Sequence, residues 1–285
     1  MPQPEVLSRP SRAPDVVLSY GQDPDRVADV RLPATRHGRA DVPAGPTLPL
    51  ILLLHGGYWR VAHDRVYLGP LADALADNGF VVCTPEYRRV GQPGGGWPGT
   101  FEDVAAAVKT LPAQIADLAG DAADVGRIIL AGHSAGGHLA IWGAAQPGIG
   151  ARGESGPDEE TPLAVVSLAG VCDLTLCARE HLDDNAAVEL MGGGPEEFPD
   201  RYAAADPMRL VPIGSPVMLL HGTADDRVPW EYSRDFAAKA QARGDEAVLA
   251  LMPEYGHFEL VDPLSGAWPT VLGAFHSAAA RLGQT

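Results

Sequence analysis

The chain has 285 residues, enough for one large core, and its 21 Lys and Arg against 37 Asp and Glu give a formal net charge of −16 at pH 7. That balance excludes a nucleic-acid partner, whose phosphates demand a basic footprint, and disfavours docking on an anionic membrane surface. A hydrophobic share of 46% excludes general disorder, and three cysteines (Cys83, Cys172, Cys177) make neither a disulfide framework nor a repeated metal pattern.

Residues 1–19 are rich in proline and polar side chains and read as a loosely packed N-terminal arm, with a single domain over 20–285. No apolar stretch of signal-peptide type opens the chain. The longest apolar run, 48–54, is far too short to cross a bilayer, so a soluble cytoplasmic protein is expected. Residues 28–32 (ADVRL) alternate as a half-exposed strand does. LPLILLLHGG (48–57) is a continuous apolar run ending in glycines, which predicts a buried strand delivering a loop at its C-terminal end. Apolar positions over 64–78 follow helical spacing and stop at Asn78-Gly79.

FVVCTPEYR (80–88) predicts a second buried strand. The glycine-rich loop 91–99 leads to a helix over 101–118, which Pro112 is expected to kink or divide. RIILAGHSAGG (127–137) is a third strand running into a sharp turn, continued as a helix over 137–146. Residues 147–162 are rich in glycine and acid and read as a solvent loop. Further strands are predicted over 163–170, 215–225 and 246–258, with a helix over 230–243 and a closing helix over 264–282. This alternation predicts an α/β fold, a mostly parallel sheet covered by helices on both faces. The stretch 171–214 interrupts it and suits a small cap-like insertion over a pocket.

Gly132-His133-Ser134-Ala135-Gly136 matches G-x-S-x-G between an apolar strand and a helix. A nucleophile on so sharp a turn needs small neighbours, and the helix start beyond it offers N–H groups to a developing oxyanion. Ser134 is therefore the candidate nucleophile. HGTADDRVP (221–229) ends another apolar strand, where a carboxylate can hold the tautomer of a catalytic imidazole. The H-G-x-x-D-x-x-V-P spacing selects Asp225 over Asp226, which is expected at the loop surface. Among nine histidines, His257, after the last strand, is the candidate base; His133 and His138 come too early in the chain, His221 precedes the acid loop and His276 lies in the closing helix. The order Ser134, Asp225, His257 differs from the chymotrypsin and subtilisin orders. In HGGYW (55–59), Gly57 and Tyr58 can add backbone donors to that of Ala135 as an oxyanion hole, with His55 fixing the loop.

These motifs together resemble the α/β-hydrolase superfamily, in the esterase and lipase branch that carries an HGG loop. HGGYW and AGHSAGGHLA (131–140) are most similar to the kynurenine formamidase (arylformamidase) group and related small carboxylesterases, over roughly residues 20–280. The resemblance implies an α/β-hydrolase fold, triad roles for Ser134, Asp225 and His257, and an oxyanion role for Gly57. It also implies a small acyl substrate: a carboxylic ester, or alternatively an aryl formamide such as N-formylkynurenine. An aminopeptidase-like activity ranks lower, because such enzymes usually add a large second domain.

Trp59, Trp97 and Glu86 are candidate pocket residues, with the alternatives that Trp97 anchors its proline-glycine loop and that Glu86 pairs with Arg88 or Arg89. Cys172, Cys177 and His181 are spaced C-x4-C-x3-H but lack a fourth ligand, so no metal is expected. No phosphate loop or dinucleotide fingerprint is present, so no cofactor is expected either. A small-molecule substrate is the expected partner, and the size is compatible with a homodimer.

Overall fold

The computed structural model describes residues 5–33, 47–120, 123–147 and 163–283. Eight strands form one sheet: β1 (Val16–Ser19), β2 (Val27–Arg31), β3 (Pro49–Leu54), β4 (Val81–Pro85), β5 (Asp124–His133), β6 (Leu163–Leu168), β7 (Val217–Gly222) and β8 (Ala247–Met252). Their spatial order is β1-β2-β4-β3-β5-β6-β7-β8. The pairs β1–β2 and β2–β4 are antiparallel, and every pairing from β4 across to β8 is parallel. The sheet is thus the expected mostly parallel one.

Over the central strands both of its faces are dry, which explains why β3 reads as an unbroken apolar run. Side chains alternate along a strand, so Leu50, Leu52 and Leu54 join one hydrophobic cluster while Ile51 and Leu53 join the other. On the first face lie α2 (Gly99–Ala119), α3 (Ala135–Ala144) and α8 (Glu231–Ala242), which contribute Val104, Ile115, Leu139 and Phe236. The second face is covered by α1 (Gly69–Asp77) and α9 (Trp268–Leu282) through Leu71, Leu75, Val271 and Phe275. Burying each such Leu or Phe contributes roughly 1.5–3 kcal/mol.

Two expectations change. Residues 1–19 do not lie loose throughout: Val16 to Ser19 pair with β2, and Val6 is buried in the second-face cluster. The four-residue segment VVLS is too short to show a period, so only the partner strand declares it. Pro112 does not divide α2, which runs through it as one helix; the buried positions Val104, Val108, Leu111 and Ile115 hold the helix on the sheet despite the missing N–H. The solvent loop read over 147–162 falls outside the described residues except at 147.

Between β6 and β7 the chain forms α4 (Leu174–Arg179), α5 (Leu182–Met191), α6 (Pro199–Ala205) and α7 (Pro207–Leu210). The start of α5 is left-handed at Asp183, Asp184 and Asn185, a conformation L-residues adopt at a cost. One guanidinium holds it. Arg60 donates to Asp183 Oδ2 (2.6 Å), to the carbonyls of Asp183 (2.9 Å) and Asp184 (3.0 Å), and to Glu189 Oε2 (2.8 Å).

Phe275 is fully buried and packs edge-on against Phe80, with ring centroids 6.3 Å apart. Phe275→Ala is expected to cost about 3–5 kcal/mol of stability, read as a lowered midpoint of urea unfolding; a midpoint unchanged from the parent would show that α9 does not brace the sheet.

Candidate active site

The turn at Ser134 joins β5 to α3 with φ 57° and ψ −120°, a strained backbone for a side-chain-bearing residue. Its neighbours leave it no alternative. The Ser134 N–H donates to the Leu168 carbonyl at 2.8 Å, and its own carbonyl accepts from Gly137 (2.9 Å), His138 (3.2 Å) and Val171 (3.3 Å). A Cβ on Gly136 would lie 2.1 Å from the Leu54 carbonyl oxygen, and one on Gly132 would lie 2.2 Å from the Gly136 oxygen. The outer glycines of G-x-S-x-G therefore let the turn fold onto itself and press on the end of β3.

Asp225 sits on the loop after β7, completely buried at its side chain. Its Oδ2 accepts from His257 Nδ1 at 2.7 Å and lies 3.2 Å from His221 Nε2. Oδ1 accepts the backbone N–H groups of Arg227 (2.8 Å) and Val228 (2.9 Å). Burial by itself would raise the pKa of this carboxyl; the hydrogen bonds from His221 and His257 outweigh it and hold the group well below the usual carboxylate range. An ionised carboxylate only accepts, so His257 Nδ1 carries the proton and its Nε2 is left as a base.

Ser134 and His257 line one cavity of about 300 Å³, together with Gly57, Tyr58, Arg60, His63, Tyr67, His133, Asp183, Arg227 and Phe258. A second contact set also reaches Asp225. His221 Nδ1 lies 2.7 Å from Ser233 Oγ, and its Nε2 faces the Val228 carbonyl at 2.9 Å. Ser233, however, is fully buried within α8, with Cys172 Sγ 3.8 Å away, and neither it nor His221 borders the cavity. A substrate cannot reach that hydroxyl.

The loop after β3 is left-handed at three successive residues: Gly57 (φ 101°), Tyr58 (51°) and Trp59 (57°). His55 braces it. Its Nδ1 bonds the Gly56 carbonyl at 2.8 Å, its Nε2 bonds Glu86 Oε1 at 2.6 Å, and its ring stacks on Tyr87 with centroids 4.2 Å apart. In a trans peptide the N–H points opposite the C=O, so the bond from His55 to Gly56 O also fixes the direction of the Gly57 N–H, and Gly57 borders the cavity. Ala135 opens α3, whose first N–H groups have no partner within the helix.

The three residues expected in the pocket lie elsewhere. Glu86 is 2% exposed and serves His55, Arg65 and Arg89 rather than a ligand. Trp59 is fully buried and meets His138 edge-on at 5.2 Å. Trp97 packs against Phe101 at 5.2 Å. Asp226 is exposed beside Arg227, as expected of a surface carboxylate. The polar wall made by His63, Tyr67 and Arg227 was not singled out from the sequence, because these residues carry no motif and meet only through tertiary packing. Cys83, Cys172 and Cys177 are buried free thiols.

Fold and site together define an α/β-hydrolase. A family model described as BD-FAE matches residues 41–240, and the chain belongs to that family. Esterase LipQ of Mycobacterium tuberculosis is 29% identical over 224 residues, covering 77% of this chain and 52% of that protein. Isoprenylcysteine alpha-carbonyl methylesterase ICME of Arabidopsis thaliana is 26% identical over 263 residues, covering 87% and 58%. The chain thus spans somewhat more than half the length of these curated relatives. Esterase B from Lactobacillus rhamnosis shares the fold with a TM-score of 0.73 at 22% identity, over 98% of this chain and 91% of that one. No helix among the described residues is long and apolar enough to cross a membrane.

Two buried carboxyls make stability depend on pH. Burial works against Glu86 ionising, but the adjacent His55 and Arg89 bring its pKa down to about 2, and Asp225 is depressed as described. An unfolded carboxyl titrates at roughly 4. Both groups bind protons more weakly in the folded state, so their stabilisation is fully present above roughly pH 5 and is lost as pH falls toward 2. The urea midpoint is expected to drop between pH 6 and pH 3, and Glu86→Gln to lower it at pH 6 while flattening its fall. A midpoint constant over that range would contradict this assignment.

Proposed function

We propose that this chain is a serine hydrolase that cleaves small carboxylic esters through Ser134, His257 and Asp225. The observation that carries this reading is the one cavity shared by a strained elbow serine and an imidazole whose other nitrogen is bound to a buried carboxylate. His257 Nε2 takes the Ser134 proton as Oγ attacks the ester carbonyl, and the N–H groups of Gly57, Tyr58 and Ala135 receive the oxyanion. The imidazolium, stabilised by Asp225, then protonates the leaving alcohol, and an acyl-serine remains. Water, activated by the same base, hydrolyses it by the reverse sequence.

The esterase names of the relatives support ester cleavage. An aryl formamide is the second reading, supported by HGGYW and AGHSAGGHLA and by the aromatic surfaces of Tyr58 and Phe258 in the cavity. Neither Trp59 nor Trp97 lines it, which favours the ester.

Hydrolysis of p-nitrophenyl acetate, butyrate and octanoate is to be compared with that of N-formylkynurenine. The esters are expected to lead, and turnover of the formamide at about 10⁴ M⁻¹s⁻¹ or above with trailing esters would move the assignment to it. Ser134→Ala should lower kcat by roughly 10⁴-fold or more, while Ser233→Ala should stay within about tenfold of the parent. Parent-like activity in folded Ser134→Ala would sink the reading.

A further inference from the structure

The residue between Gly132 and Ser134 is a histidine whose two ring nitrogens are both engaged. Tyr67 Oη lies 2.9 Å from His133 Nδ1, and His133 Nε2 lies 3.0 Å from the carbonyl oxygen of His257. A carbonyl only accepts, so Nε2 carries the proton, Nδ1 is an acceptor, and the Tyr67 hydroxyl donates to it. The same hydroxyl accepts the Gly56 N–H at 2.6 Å. Three catalytic segments are therefore joined in one directed chain: Gly56 N–H to Tyr67 O–H, Tyr67 to His133, and His133 N–H to the backbone of His257.

The placement of this chain matters for the proposed reaction. Gly56 precedes the Gly57 and Tyr58 donors, and its N–H and C=O are held from opposite directions by Tyr67 and His55. At the other end, the His133 and His257 rings lie 4.5 Å apart between centroids. When His257 becomes an imidazolium, a second positive ring beside it would cost Coulomb energy. His133 avoids this because both of its nitrogens are committed in the neutral form. Burial, with the His257 charge adding to it, also pushes its pKa well below that of a free histidine. Tyr67 is equally disposed to keep its proton, since burial raises its pKa.

We infer that Tyr67 and His133 are positioning residues that lock the oxyanion loop and the base loop in register across the nucleophile. This rests on the triad assigned above. Neither residue exchanges a proton with the substrate. Tyr67 sets the plane of the Gly56 amide, His133 sets the His257 backbone, and the bond between them makes the two adjustments one. The coupling acts on transition-state geometry more than on ground-state binding, so it belongs in kcat rather than KM.

The test uses Tyr67→Phe, His133→Gln and the double variant, with p-nitrophenyl butyrate as substrate. Tyr67→Phe keeps the ring that fills the site and removes only the hydroxyl. His133→Gln keeps an amide N–H that can reach the His257 carbonyl and takes away the ring nitrogen that accepts from Tyr67. Each is expected to lower kcat by about 10- to 100-fold with KM within about threefold, and the double variant to fall no further than the worse single. Thermal unfolding is measured alongside, and should either variant fail to fold, the kcat–KM split of the other decides. A kcat within twofold of the parent, a loss carried by KM, or a double variant showing the product of the two single losses would overturn the proposal. Covalent labelling of Ser134 by a fluorophosphonate in the parent, lost in Ser134→Ala, separates a failure of the coupling from a failure of the triad.

Discussion

The contact of the α3 N-terminus with the end of β3 is the constraint on which the site depends. Gly136 lies so close to the Leu54 carbonyl that no side chain fits between them. Once the helix is seated there, Ser134 has to turn left-handed to connect it to β5, and hydrogen bonds to and from β6 and its following loop hold that turn. Strain of this kind persists only where the surroundings over-determine it. Here the surroundings are three adjacent central strands of a sheet buried on both faces.

Around this rigid centre the loops are held mainly by side chains. Arg60 fastens the left-handed start of α5 to the segment after β3 with three hydrogen bonds and reaches Glu189 with a fourth. Tyr58 reaches from the same segment to the Arg227 carbonyl at 2.7 Å, beside the Asp225 turn. His55 and Glu86 form a buried pair behind the loop, which Arg65 and Arg89 also touch. The net acidity of the chain is compatible with this arrangement, because arginines such as Arg60 and Arg88 are placed where several acceptors converge.

Asp225 illustrates why geometry has to arbitrate between similar contacts. Two histidines reach the same oxygen, and each has a serine within view of the elements around it. His221 and Ser233 are in hydrogen-bond contact at 2.7 Å, yet they are sealed in the core, where they buttress the acid turn through Val228 and Asp225. His257 and Ser134 face open volume. Reactivity toward a substrate requires access, and of the two pairs it is the second that borders the cavity.

The sequence by itself determined the sheet, the elbow and the order of the functional groups. Dry strands such as β3 must be continuously apolar, and a strand-to-helix turn that presses on its neighbour must be flanked by glycine; both constraints are local, and both are written in consecutive residues. The spacing after His221 likewise singled out Asp225 over Asp226. What the tertiary structure decided was where isolated side chains ended up. Glu86 follows a buried strand next to the site and could have faced either way; its pairing with His55, 31 positions earlier, turned it inward. Trp59 went to the core because the backbone at residues 57–59 is left-handed, a torsion that composition does not reveal. Val16 to Ser19 became a strand only through β2. The link from Tyr67 to His133 to the His257 carbonyl joins residues 66 and 124 positions apart, and no local pattern encodes a contact whose partners meet only when the sheet brings its strand ends together.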